Sequence, residues 1–214
     1  MAVADDSFIH RYIPPTDPAV RTTLLLLHGT GGDEASLLSL GRALLPGAGL
    51  LSPRGRVLEH GAPRFFRRLA EGVFDLPDLI ARTRELATWL PEAAARYGID
   101  VASMIAVGYS NGANIAGSLL LLHPGLLSTA VLLRPMVPLV PDVAPDLAGA
   151  RVFAAAGRRD PIVPVAESER LAALLRGYGA TVDLHWSDGG HELANVEIAA
   201  ARTWVAAGGR EALD

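Results

Sequence analysis

Short, unbroken apolar runs alternate along the chain with longer stretches of helical period. The runs at residues 8–13, 22–27, 49–52, 104–108, 130–133, 152–156 and 181–186 read as β-strands. Most lack the polar alternation of a half-exposed strand, as expected of parallel strands covered on both faces. The segment Thr181-Val182-Asp183-Leu184-His185-Trp186 does alternate, which predicts a place near a sheet edge. Among the helical stretches, 35–45 follows Asp33, a side chain suited to an N-cap. Residues 76–97 begin after Asp75 and set Leu79, Ile80, Leu86, Ala87 and Leu90 on one stripe. Pro91 is expected to kink that helix or to start a second one. Residues 111–123 stop at Pro124-Gly125, 165–176 stop at Gly177-Tyr178-Gly179, and a last helix covers 193–207.

This order predicts the α/β class: a three-layer αβα sandwich around a mostly parallel, doubly wound sheet of about seven strands, in one domain over 1–214. Two segments, 53–74 and 136–149, read as the only long loops, and neither is large enough for a cap domain.

Composition narrows the function. The chain has 214 residues, half of them hydrophobic and a fifth charged, which suits a folded globule rather than a disordered one. The net charge of -4, with no block of one sign, gives no footprint for nucleic acid. The leucine runs 24–27 and 119–122 fall far short of a membrane span. The first residues, Met1 to Asp6, lack the basic and apolar regions of a secretory leader, so a cytoplasmic location is expected. There is no cysteine, which removes disulfides, thiolate metal sites and cysteine nucleophiles together.

In open α/β sheets ligands gather at the carboxyl ends of the strands. Four such ends carry chemistry here: His28-Gly29-Thr30-Gly31-Gly32, Gly108-Tyr109-Ser110-Asn111-Gly112, Gly157 to Pro164, and Gly189-Gly190-His191-Glu192. The second matches G-x-S-x-G between a strand and a helix, the context that lifts a serine hydroxyl clear of the sheet at a helix N-terminus. Ser110 is therefore the candidate nucleophile, against the bland reading of a flexible turn. His191, on a glycine-bearing loop, is the candidate base. His28 reads as structural, His185 as a packing residue on a sheet face, and His10, His60 and His123 carry no catalytic signal. Asp160 is the candidate orienting carboxylate, with Asp188 as its local rival and an Asp-Pro turn as the bland reading. The order serine, acid, histidine is that of α/β-hydrolases.

Backbone N–H groups of Thr30 and Asn111 are the candidate oxyanion hole. The His28-to-Gly32 loop has neither the Rossmann nor the P-loop spacing, and the histidines have no metal-ligating spacing such as H-E-x-x-H, so no cofactor and no metal are expected. Phe65, Phe66, Arg67, Met136 and Val137 are candidate substrate-binding residues. The competing reading buries Phe65 and Phe66 in the core beneath a basic turn, and one of Arg54, Arg64, Arg67 or Arg68 is a candidate for binding a substrate carboxylate.

With Leu25-Leu26-Leu27-His28-Gly29-Thr30-Gly31-Gly32-Asp33, Gly108 to Ala113, Asp160 to Pro164 and Gly189 to Glu192 in that order, the sequence resembles the α/β-hydrolase superfamily over nearly its whole length. Within it the chain resembles the small carboxylesterase/phospholipase family that includes acyl-protein thioesterases. The segments 52–69 and Arg134 to Pro138 look closest to a bacterial branch associated with tolerance to hydroquinone-type compounds. Asn111 and Ala113 depart from the thioesterase branch, where glutamine and glycine are usual. The resemblance implies cofactor-free hydrolysis of small to medium esters through an acyl-enzyme, with small-molecule esters as partners and homodimer formation left open. Thioester cleavage, acyl transfer and a non-catalytic binding protein are the alternatives.

Overall fold

A computed structural model describes residues 8–208; Met1 to Asp6, read above for a leader, lies outside them. The chain opens with β1 (His10–Ile13) and β2 (Thr23–Leu27), then α1 (Leu38–Leu44) and β3 (Gly49–Pro53). Two small hairpins follow, β4 (Val57–Glu59) with β5 (Ala62–Arg64), and β6 (Arg68–Ala70) with β7 (Val73–Phe74). The remainder alternates as α2 (Leu76–Tyr97), β8 (Ile105–Tyr109), α3 (Asn111–Leu122), β9 (Thr129–Leu133), β10 (Arg151–Gly157), α4 (Val165–Gly177), β11 (Thr181–Ser187) and α5 (Asn195–Ala206).

Seven strands form one sheet in the order β1-β3-β2-β8-β9-β10-β11, parallel except for β1. The alternating strand β11 is indeed an edge. Residues of α2, α3 and α4 pack with one sheet face around Leu86, Leu119 and Leu171, and those of α1 and α5 with the other around Leu38 and Trp204. Strands β2 and β9 are wholly buried, which is why they read as continuous apolar runs.

Three sequence expectations need correction. Pro91 does not start a second helix; α2 runs unbroken over Leu76–Tyr97 with Pro91 inside it. Pro91 lies on the exposed side, so the bond it cannot donate is lost facing water, while Leu86, Trp89, Leu90 and Ala93 anchor the buried stripe. Asp33 does not cap α1. Its Oδ1 accepts from Ala35 N and Ser36 Oγ, closing a local turn, and the helix starts only at Leu38. The expected loop 53–74 is built as the two hairpins, whose strands of two or three residues are too short to show a period. No helix among the described residues is long and apolar enough to cross a membrane.

The turn between β8 and α3 depends on absent side chains. A Cβ on Gly112 would lie 1.9 Å from the Leu27 carbonyl oxygen, and one on Gly108 would lie 2.4 Å from Gly112 O. Both obstacles are backbone and cannot rotate away. Gly112→Ala is expected to lower unfolding stability by about 3 kcal/mol or more. Gly177→Ala, whose Cβ meets nothing within 4 Å, should change it by under ~1 kcal/mol. Urea denaturation of both variants checks the contrast.

Candidate active site

Five neighbouring parallel strands deliver their carboxyl ends to one rim. β2 is followed directly by His28, β8 by Ser110 and β9 by Arg134, β10 runs into the 157–160 turn, and β11 leads to His191. Ser110 has φ 52°, a left-handed conformation that a serine adopts only where its surroundings impose it. Its N–H donates to Leu133 O at 2.8 Å, and its own carbonyl accepts from Asn114 N in the first turn of α3. The strain is held by the adjoining strand and helix.

The three side chains named from the sequence converge. His191 Nε2 lies 3.0 Å from Ser110 Oγ, and His191 Nδ1 lies 2.8 Å from Asp160 Oδ2. The other carboxylate oxygen of Asp160 accepts from Ile162 N and Val163 N at 2.8 and 3.0 Å. Asp188, the rival carboxylate, makes no contact with the ring; its backbone carbonyl accepts from Arg159. Tyr109 donates its hydroxyl to the His191 carbonyl at 3.1 Å, and burial pushes that phenol's pKa up.

His28 is structural: Nδ1–H donates to Gly29 O and Nε2 accepts from Gly55 N at 2.9 Å, while burial lowers its pKa and keeps it neutral. In the loop it starts, Gly31 N donates to Pro63 O and Gly32 N to Gly29 O. The Thr30 amide has no backbone partner among the described residues, and neither has that of Asn111.

A cavity of about 320 Å³ opens over Ser110. Thr30, Asn111, Met136 and His191 line it as expected, joined by Arg64, Arg68, Phe74, Asn114 and Ile162. Of the five expected substrate contacts, only Met136 lines it. Phe65, Phe66 and Val137 are buried in the core, and Arg67 faces solvent and pairs with Asp75. After β5 the chain carries two phenylalanines inward and turns Arg67 out to solvent, so Arg64 at the end of β5 and Arg68 at the start of β6 become the wall.

Arg134 is the functional residue the sequence reading missed. It follows β9 directly, so the strand-end criterion already points to it. Its φ is 58° and its side chain is fully buried. Nε donates to Gly190 O and Nη2 to Glu192 O, both at 2.8 Å, so the guanidinium grips the His191 loop from either side. Glu197 takes it bidentately through Nη1 and Nη2. Nε also stands 3.8 Å from Asp160 Oδ2. Burial alone would raise the Glu197 pKa, but bonds from Arg134, Ala194 N and Ser187 Oγ prevail and hold it below the ordinary carboxylate value. Among the described residues no three His, Cys, Asp or Glu side chains converge as metal ligands. The convergence of hydroxyl, imidazole and carboxylate is an arrangement that can activate an alcohol.

Breaking the buried pair by Glu197→Gln is expected to cost about 3–5 kcal/mol. Because the folded pKa of Glu197 is depressed, its contribution is complete above the unfolded value of ~4.3 and is lost as pH falls through the lower folded value. Denaturation midpoints measured from pH 7 to pH 3 should therefore fall less steeply at the acid end in the variant.

No family model matches the chain. It is 54% identical over 181 residues to MhqD of Bacillus subtilis (strain 168), named as a hydrolase, covering 85% of this chain and 90% of that protein. The crystal structure of a Bacillus cereus carboxylesterase superposes with a TM-score of 0.90 at 49% identity, over 94% of each chain. A carboxylesterase from Mesorhizobium loti gives 0.89 at 37% identity, over 95% of this chain and 97% of its own.

Proposed function

The chain belongs to the α/β-hydrolase esterase family and is an ester-hydrolysing enzyme; from that premise we propose that it cleaves small carboxylic esters through a Ser110 acyl-enzyme, with His191 and Asp160 completing the triad. The observation that carries the reading is the continuous chain Ser110 Oγ, His191, Asp160, with links of 3.0 and 2.8 Å.

His191 Nε2 takes the Ser110 proton as Oγ bonds to the ester carbonyl carbon, and the carbonyl π-pair moves onto oxygen. The amides of Thr30 and Asn111 receive that oxyanion. Both are unspent, whereas the neighbouring Gly31 and Gly32 amides are already bonded, which supports Thr30 rather than a glycine as the early-loop donor. As the C–O bond breaks, His191 returns its proton to the departing alcohol. Water then attacks the acyl-serine, giving its proton to His191, and the acid leaves with Ser110 restored. Asp160 holds Nδ1–H throughout and stabilises the imidazolium. The cavity's size falls at the lower end of the ~300–1,000 Å³ usual for small-ligand sites, which supports short acyl groups over long chains.

Wild-type protein should be labelled by a fluorophosphonate and should hydrolyse p-nitrophenyl butyrate. Ser110→Ala should abolish labelling and lower kcat by about 10⁴-fold or more. Equal labelling of Ser110→Ala, or turnover of butyryl-CoA in clear preference to the oxygen ester, overturns this reading.

A further inference from the structure

We propose that the cavity selects esters that carry a carboxylate, with Arg64 and Arg68 as its receptor. This names the substrate class of the same site and rests on the esterase reading above.

Two guanidiniums form one wall of the cavity, and they share a single carboxylate. Glu59 Oε1 accepts from Arg68 Nε at 2.8 Å, and its Oε2 lies 3.2 Å from Arg64 Nε. Arg64 is 3% exposed, so its charge is held almost out of water beside the reacting centre. It donates Nε to Phe66 O and Nη1 to Thr30 Oγ1 at 2.7 Å. Its Nη2 makes no hydrogen bond among the described residues, and Arg68 spends only Nε.

Arg134 shows what a structural guanidinium looks like in this protein. Each of its nitrogens is bonded, its charge is matched by Glu197, and it is closed off from water. Arg64 and Arg68 line the same cavity but differ in two respects: they keep donors in reserve, and they outnumber their counter-ion. Asn111 adds an independent sign. It is 2% exposed, its Oδ1 accepts from Phe65 N, and its Nδ2 is a buried donor with no acceptor. Against these donors stands one acceptor group, the shared Glu59 carboxylate, whose Oε2 is buried without a hydrogen bond 3.2 Å from Arg64 Nε; donors remain in excess, and a bound carboxylate supplies acceptors only.

The charge count picks the carboxylate over a phosphate. Two cations and Glu59 leave one positive unit, which a monoanion balances and a dianion exceeds. Glu71, at the tip of the β6–β7 hairpin, also lines the cavity, but it is exposed and forms no ion pair among the described residues, so solvent screens it. The planar fork of a guanidinium matches a carboxylate in two parallel bonds.

The test compares kcat/KM for two matched pairs in the whole enzyme. Monoethyl succinate against diethyl succinate places the charge on the acyl side; 3-acetoxybenzoate against methyl 3-acetoxybenzoate places it on the alcohol side. The charged member of at least one pair should be preferred by about tenfold, the scale of one charge-assisted hydrogen bond. Arg68→Gln should lower that charged-to-neutral ratio about tenfold, and Glu71→Gln should raise it. Opposite movements in two surface variants cannot come from misfolding. Neutral members preferred in both pairs, or a ratio that Arg68→Gln leaves unmoved, overturns the proposal while leaving the esterase reading intact. Failure of every ester to react, with no fluorophosphonate labelling, removes both.

Discussion

A guanidinium without water must be surrounded by acceptors, and Arg134 finds nearly all of its acceptors in the segment that carries His191. Gly190 O, Glu192 O and the Glu197 carboxylate hold it on three sides, and Ala155 O lies beneath. The imidazole would otherwise sit on a glycine-bearing loop beyond the last edge strand. A buried ion pair of this kind is a poor source of net stability, because desolvation consumes most of the attraction. What it gives is geometry: β9, the β11–α5 loop and the start of α5 are fastened at one point. Arg134 also stands within ion-pair distance of Asp160, 3.8 Å away, behind the carboxylate that meets the imidazole.

A second fastening works on the opposite side of the nucleophile. The strand β5 and the residue after it bond to both Thr30 and Asn111, which line the cavity. Arg64 donates to the Thr30 hydroxyl, Phe65 N donates to Asn111 Oδ1, and Pro63 O fixes the adjoining Gly31 amide. None of the three ties touches Ser110, His191 or Asp160. Together they tie the loop after β2 and the first residue of α3 to one strand, which supports the proposed role of the Thr30 and Asn111 amides, since donors fixed in advance stabilise a developing charge without reorganisation.

The sheet was legible because burial on both faces leaves uninterrupted apolar runs, and each of the seven runs is a strand of the sheet. The three converging side chains, Ser110, His191 and Asp160, were legible because strand ends are where α/β folds place chemistry, and each sits in a glycine- or proline-bearing turn. What escaped has a common character. The hairpins are set by long-range bonds such as Gly31 N to Pro63 O rather than by local period. The inward turn of Phe65 and Phe66 depends on which face of β5 meets the core, which a strand of three residues cannot declare. Pro91 is tolerated because its side of α2 happens to meet water, a tertiary fact. Arg134 was within reach, since it stands at a strand end like the others, but a lone arginine announces no reaction and only its burial reveals the task.

One strand, β5, therefore writes two properties at once. Arg64 both ties the Thr30 loop and stands in the cavity wall, so on the proposed reading an exchange there that redirects preference also disturbs turnover. The β6–β7 hairpin is under no such double obligation, since it makes no hydrogen bond to Thr30 or Asn111 among the described residues. Divergence within such enzymes, natural or laboratory-driven, has its freer path there: the tip at Glu71-Gly72 can change in length or sign while the reactive centre stays as it is.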